Sequence, residues 1–330
     1  MRHLFLLLIG FSVLPVSSLP AADHIQFYHL GKDAELAQST INGLYQDEYG
    51  ALWIGTRNGV KKYDGMRIEL MKIPGLSGGV SSAYHPSVCG DRNGHVFFNT
   101  DYRVVEYDLR QDSHRTIFAQ RDVSRPPAIS FCYGAENLWI GLKDSLFSYS
   151  GGRLALHMVL SEPSAEISSI CESSTGTLYV ATTGQGLFCI DRQKRESRHD
   201  VSDSEIITLF EDSRRHLWLG TLKDGLYRLL PDGGMEHYTQ HDGRSGRLLS
   251  NYIRSVAEDN AGHIWIGTML GVNRLNPSTG EMASYGLAEK GQSGLSNLSV
   301  WVILKDRMGT MWFGTYYGGV NYCNPETNLF

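Results

Sequence analysis

One short pattern returns seven times along the chain and limits what it can fold into. Trp53-Ile54-Gly55-Thr56 recurs as Phe97-Phe98-Asn99-Thr100, Trp139-Ile140-Gly141-Leu142, Tyr179-Val180-Ala181-Thr182, Trp218-Leu219-Gly220-Thr221, Trp265-Ile266-Gly267-Thr268 and Trp312-Phe313-Gly314-Thr315, with neighbouring copies 39 to 47 residues apart. A period of about 43 residues is the length of a four-stranded propeller blade, a unit that needs neighbours to bury its faces.

Each copy reads strand by strand. Upstream of the anchor stand Leu44-Tyr45, Val88-Cys89, Phe131-Cys132, Ile170-Cys171, Leu209-Phe210, Val256-Ala257 and Ile303-Leu304. Both faces of this strand are apolar, as an inner strand sandwiched between blades requires. Asp47-Glu48-Tyr49-Gly50 and its counterparts at 91–94, 259–262 and 306–309 suit type I turns into the anchor strand. Blade 3 is one residue short in this turn, and blade 5 has Arg215 in the Gly position. A third strand opens on Gly and an aliphatic residue, for example Gly225-Leu226 and Gly319-Val320, and a more polar outer strand follows, such as Glu236-His237-Tyr238-Thr239.

Seven blades must close into a ring or leave edges open. Ile25-Gln26-Phe27-Tyr28-His29-Leu30 precedes the first inner strand where every other copy has an outer strand, and the chain stops just after a third strand. The expected fold is therefore all-β, a single seven-bladed β-propeller of four-stranded blades, with the N-terminal strand completing blade 7 and residues 23–330 forming one domain.

Ahead of it, Arg2-His3, an apolar run from Leu4 to Leu14, and then small residues with Pro15 and Pro20 follow the order of a secretory signal peptide, assigned to residues 1–22. A periplasmic or secreted location follows from it. Lys and Arg number 30 against 35 Asp and Glu, and no basic run occurs, which argues against a nucleic-acid partner. Five cysteines leave at least one unpaired. Cys89, Cys132 and Cys171 share one place on successive inner strands, where thiols pack well, although a bridge between neighbours is compatible with an oxidising compartment.

The repeat D-x-x-G-x-[LIM]-W-[ILF]-G-T followed by G-[LV] resembles the two-component regulator propeller repeat over nearly all of the chain after the leader. That resemblance implies a periplasmic sensor propeller of hybrid two-component histidine kinases of Bacteroidetes-type bacteria, which detect glycan breakdown products and control polysaccharide-utilisation genes. Its implied partners are an oligosaccharide, a second propeller and kinase modules, with a homodimer formed through the full-length receptor. The ending Asn324-Pro325-Glu326-Thr327-Asn328-Leu329-Phe330 reads as a chain passing into a next repeat, so a fragment of such a sensor is expected. The kinase itself is not in this sequence.

Other motifs weigh less. Gly75-Leu76-Ser77-Gly78-Gly79 fits a hydrolase nucleophile pattern, but no helix follows it. Gly184-Gln185-Gly186 lacks the third Gly and the helix of a dinucleotide site, so no cofactor is expected. His95, His216 and His263 share one position in separate blades and read as exposed turn residues rather than metal ligands.

Loops joining the second and third strands emerge at the same end of a propeller as those joining one blade to the next, and function on repeat folds usually lives there. The candidate ligand-binding residues are Arg57 and Asn58, Tyr84 and His85, Tyr102, Lys143, Lys223, Tyr252 and Arg254, Trp301, and Tyr316 and Tyr317. Aromatic faces pack on the C–H side of sugar rings, and guanidinium and amide groups satisfy hydroxyls and carboxylates. Trp301, entering an inner strand from a loop, should project at the mouth, with Tyr316 and Tyr317 approaching it and Arg57 and Asn58 across the seam. A propeller lyase or glycosidase, with Asp101, Asp144 or Asp224 as its carboxylates, and a protein-interaction scaffold are the alternatives.

Overall fold

The computed structural model describes residues 25–30, 36, 39–71, 88–100, 103–119, 129–161, 166–201, 205–241, 247–287 and 293–326. Among these residues 28 strands form seven four-stranded antiparallel sheets, arranged as a seven-bladed β-propeller. The inner strands Ile41–Gln46, Val88–Gly90, Ile129–Tyr133, Ile167–Glu172, Ile206–Glu211, Ile253–Glu258 and Val300–Lys305 pack in chain order, and the last lies against the first. The ring is fastened as the sequence implies. Tyr28–Leu30 pairs with Val320–Cys323, Tyr28 opposite Tyr322 and Leu30 opposite Val320, as the outer strand of blade 7. On the other end of the same seam, Arg307 donates to Gln46 Oε1 and to the carbonyl oxygens of Asp47 and Glu48 in blade 1.

Seven apolar clusters fill the seven interfaces between blades, so the core is divided among the junctions. The anchor glycine sets how closely the blades approach. A Cβ on Gly141, Gly220 or Gly314 would stand 2.5, 2.7 or 2.6 Å from a methyl of Ile167, Ile253 or Ile41, the first residue of the next blade's inner strand. Adding the methyl forces overpacking at a junction that cannot open without opening the ring. Gly220→Ala is expected to cost about 1–3 kcal/mol in urea denaturation.

A second recurring element, present in four blades, is a buried carboxylate in the turn between inner and anchor strands. Asp47, Asp212, Asp259 and Asp306 each accept the indole N–H of Trp53, Trp218, Trp265 and Trp312, at 2.8, 2.9, 2.9 and 2.8 Å. The second oxygen accepts backbone N–H groups two and four residues on, as at Ala261 and His263 for Asp259. The turn is thus held to the core by its own aspartate. The fourth turn position is left-handed: Gly50, Gly94, Gly262 and Gly309 have φ of 94, 102, 80 and 82°, and Arg215 takes φ 65° in blade 5.

The histidines correct the sequence expectation. His95, His216 and His263 are half-buried rather than exposed, and their Nδ1 atoms lie 2.6, 2.9 and 3.3 Å from the turn aspartates Asp91, Asp212 and Asp259. They belong to the turn network because position two before the anchor points to the same side as the indole. All five cysteines are thiols, and burial pushes their pKa values up.

Burial alone would raise the carboxyls of Asp212 and Asp259, but hydrogen bonds from the indole and from the histidine backbone N–H outweigh it and hold both below the ordinary range. A depressed folded-state pKa gives stability that is present above the unfolded value of about 3.9 and lost as pH falls through the folded one. The double variant Asp212→Asn, Asp259→Asn should be less stable at pH 7 and show a shallower loss of stability on acidification below about pH 4. Equal acid limbs in wild type and variant would contradict this assignment.

Candidate functional site

At the end of the ring opposite the aspartate turns, two sets of loops are knitted together by backbone hydrogen bonds. Thr183 N donates to Glu166 O, Leu222 N to Glu205 O and Tyr316 N to Ser299 O, each at 2.9 Å. The anchor threonine closes the loop beside it, with Thr56, Thr182, Thr221, Thr268 and Thr315 donating to the carbonyl of the glycine that opens the third strand. The glycine is needed because a Cβ on Gly225 or Gly271 would meet a backbone carbonyl at 2.2 or 2.4 Å.

The inner strands enter this end through a repeated irregularity. Pairing with the anchor strand shifts between Ile41 and Gly43, Ile167 and Ser169, Ile206 and Thr208, Ile253 and Ser255, and Val300 and Val302. The register skips Asn42, Ser168, Ile207, Arg254 and Trp301. A bulge re-aims the extra side chain out of the alternation of the strand. Ser168 uses this to donate to Ile206 O of the next blade.

In blades 6 and 7 the bulge residues meet. The Arg254 guanidinium carbon lies 4.0 Å from the centre of the Trp301 ring and 4.6 Å from that of Tyr252. Trp301 stacks on Tyr316 at 5.4 Å and 18°, and Tyr317 stands edge-on to Tyr316 at 4.5 Å and 86°. Five of the sequence candidates therefore form one continuous stack. Contacts of a guanidinium with ring faces are worth about 0.5–2 kcal/mol, and they leave its hydrogen-bonding directions in its own plane. Trp301 is further fixed by its indole N–H, which donates to Ser299 Oγ at 3.1 Å, while Ser299 Oγ donates to Met269 Sδ. Tyr316 and Tyr317 are 37% and 49% exposed, so the outer end of the stack faces solvent.

The remaining candidates are placed differently. Arg57 and Asn58 are exposed in the blade 1 loop, where Asn58 N donates to Thr56 Oγ1; the structure does not bring them into the stack. Lys143 and Lys223 are exposed on blades 3 and 5, away from it. Tyr84, His85 and Tyr102 lie outside the described residues, as do Asp101, the Gly75–Gly79 loop and residues 1–22. Asp144 Oδ1 accepts the Ser145 hydroxyl, and Asp224 Oδ2 accepts the Tyr227 hydroxyl at 2.5 Å, so both carboxylates serve their own hairpins. Among the described residues no group of three or more His, Cys, Asp or Glu side chains is placed to hold a metal ion.

Two buried asparagines were missed by sequence reasoning. Asn273 Oδ1 accepts Leu249 N, and Asn321 Oδ1 accepts Ser296 N, both at 2.9 Å, pinning the incoming loops of blades 6 and 7. Their signal was the Asn after Gly-Val at 271–273 and 319–321, where blade 1 has Lys61. These are the two loops that carry Tyr252 and Trp301 into the ring.

Residues 35–58, 247–269 and 294–317 match the model of the two component regulator propeller family, so blades 1, 6 and 7 carry repeats of that family. The last two stretches hold the whole stack. No curated protein matches the sequence. Among solved structures, the extracellular domain of what is named a one component system of B. thetaiotaomicron is 23% identical, with TM-score 0.72 over 91% of this chain and 40% of that one. The extracellular domain of another B. thetaiotaomicron protein, named as a hybrid two component system, is 20% identical, with TM-score 0.71 over 91% and 42%. Virginiamycin B lyase from Staphylococcus aureus is 12% identical, with TM-score 0.70 over 91% and 98%. The chain thus spans about two fifths of the two extracellular domains, and at these identities the likeness is one of fold.

Tyr317 holds φ 53°, a left-handed backbone that side chains with a Cβ adopt at a cost. Tyr317→Gly should therefore raise unfolding stability by about 0.5–1 kcal/mol in urea titrations, less what the freer unfolded chain takes back. A loss of more than about 1 kcal/mol would show that the ring contact with Tyr316 outweighs the backbone strain.

Proposed function

We propose that this chain is the ligand-binding propeller of an exported sensor and that its ligand is a glycan-derived oligosaccharide held at the ring mouth on Tyr252, Arg254, Trp301, Tyr316 and Tyr317. The observation that carries the reading is the continuous stack of four aromatic rings and one guanidinium, open to solvent at Tyr316 and Tyr317. Its solvent-facing end at Tyr316 and Tyr317 offers aromatic surface to the C–H side of a sugar ring, with the guanidinium supplying in-plane donors to hydroxyls or carboxylates. The family repeats of blades 6 and 7, the likeness to extracellular domains of signalling systems and the leader at residues 1–22 support an exported sensor. In this reading the propeller works in the periplasm with a second propeller and kinase modules, and the output is control of polysaccharide-utilisation genes.

Catalysis by the ring is the competing reading, given the likeness to a lyase. Against it, Asp144 and Asp224 are engaged within their own hairpins. Thermal-shift screening of oligosaccharides tests the binding reading, because a ligand that binds only the folded state must stabilise it. Trp301→Ala and Tyr316→Ala should each weaken binding of the glycan found by about 1–3 kcal/mol while leaving unfolding transitions cooperative. Unaltered affinity in both folded variants would move the site elsewhere, and turnover of the glycan would favour the enzyme.

A further inference from the structure

Blade 3 departs from its neighbours at the aspartate-turn end, far from the mouth. In blades 1, 5 and 6 the residue paired with the anchor tryptophan on the third strand is a cation: Lys62, Arg228 or Arg274. Its charge lies 5.4, 5.3 or 5.5 Å from the centre of the Trp53, Trp218 or Trp265 ring. A carboxylate completes each group, with Asp47 4.0 Å from Lys62, Glu236 3.2 Å from Arg228 and Asp259 3.1 Å from Arg274. Those three indoles are 0% exposed.

Blade 3 keeps the ring and the carboxylate but has no cation. Trp139 is paired with Ser148. The turn, one residue short, has Gly134 in place of an aspartate, and Glu172 of blade 4 supplies the carboxylate instead, accepting Trp139 Nε1 at 2.6 Å and Ala135 N at 3.2 Å. Gly134 makes room for it, since a Cβ there would fall 1.8 Å from Glu172 Oε2. Where a long cationic side chain covers the indole in blades 1, 5 and 6, and Tyr322 packs on Trp312 in blade 7, a cleft of about 390 Å³ opens, with Trp139, His157, Glu172, Asp191, Arg192 and Lys194 among its walls. Trp139 is 7% exposed.

Two cations of blade 4, Arg192 and Lys194, stand on the rim of the cleft. Lys194 Nζ donates to His157 O at 3.4 Å, and the Arg192 guanidinium lies over Gly176. His157 stands edge-on to Trp139 at 4.7 Å and 85°. Burial, with Lys194 adding to it, lowers the His157 pKa, so this ring is neutral at pH 7. Beside these cations the cleft presents an indole and a carboxylate, the two kinds of group that accompany a cation in blades 1, 5 and 6.

We propose that this cleft binds a small organic cation, an alkylammonium such as that of an amino sugar, in the place that Lys62, Arg228 and Arg274 take in their own blades. A cation received over an indole beside a carboxylate is held by the ring quadrupole and by charge together. The site is independent of the mouth and of the sensor reading.

Calorimetry and saturation-transfer NMR on the full chain would use tetramethylammonium, glucosamine and Nα-acetyl-lysine amide, with neopentyl alcohol and N-acetylglucosamine as uncharged counterparts. The cations should bind in the millimolar range and at least about tenfold more tightly than their counterparts. Glucosamine above the lysine amide identifies an amino sugar as the source of the ammonium, and the reverse order identifies a protein side chain. Ser148→Arg, which supplies the missing cation, should abolish binding, and Glu172→Gln should weaken it at least about tenfold. The two variants act separately, so if one fails to fold the other still reports. The proposal fails if no cation binds below about 50 mM, if the uncharged counterparts bind equally well, or if a folded variant keeps wild-type affinity.

Discussion

The ring depends on how closely one blade can approach the next. An anchor glycine without a Cβ lets the first aliphatic residue of the following inner strand nest against it, as Ile167 does on Gly141, Ile253 on Gly220 and Ile41 on Gly314. That last pair spans the closing seam, so the same contact that stacks the blades also joins the ends. The nested residue is also the last one in register before the bulge. Fixing Ile253 and Val300 against their neighbours therefore determines where the next residues, Arg254 and Trp301, must point. Ring closure and candidate site thus draw on one packing contact that recurs around the ring, and the bulge residue differs among the five blades that have one.

Much of this was legible because it repeats. The anchor, the two-sided apolar inner strand and the spare N-terminal strand were enough to specify seven blades and their fastening. The approach of Tyr316 and Tyr317 to Trp301 followed from their places in one blade. Arg57 and Asn58 were expected nearby on the grounds of shared loop position, but adjacency around the ring does not bring short loops into contact. The bulges left no mark, because one extra residue on a strand apolar on both faces does not disturb a pattern that has no alternation. The partnership of Arg254 with Trp301 was hidden for the same reason. Glu172 standing in for a missing aspartate was equally out of reach, since it is a contact between blades made by residues 33 apart in sequence.

The two ends of the blades have different physical characters. At the turn end, buried aspartates hold the indoles and, in blades 1 and 6, a cation of the same blade. At the loop end, the blade 6 and 7 loops are pinned from below by Asn273 and Asn321, while Tyr316 and Tyr317 at the outer end of the stack reach solvent. A rigid base with an exposed aromatic top suits recognition with little ordering cost. The blade 3 cleft is the exception at the turn end, where a loss of one residue and of one cation leaves a polar group built for a charge it does not itself contain.

The measurement that bears most directly on this account is a crystal structure of the chain with the first oligosaccharide that stabilises it. Sugar density lying against Tyr316 and Trp301, with a hydroxyl or carboxylate in the plane of the Arg254 guanidinium, is the result the account requires. Density seated in another part of the ring, with the stack of Tyr252, Arg254, Trp301, Tyr316 and Tyr317 uncovered, would contradict it.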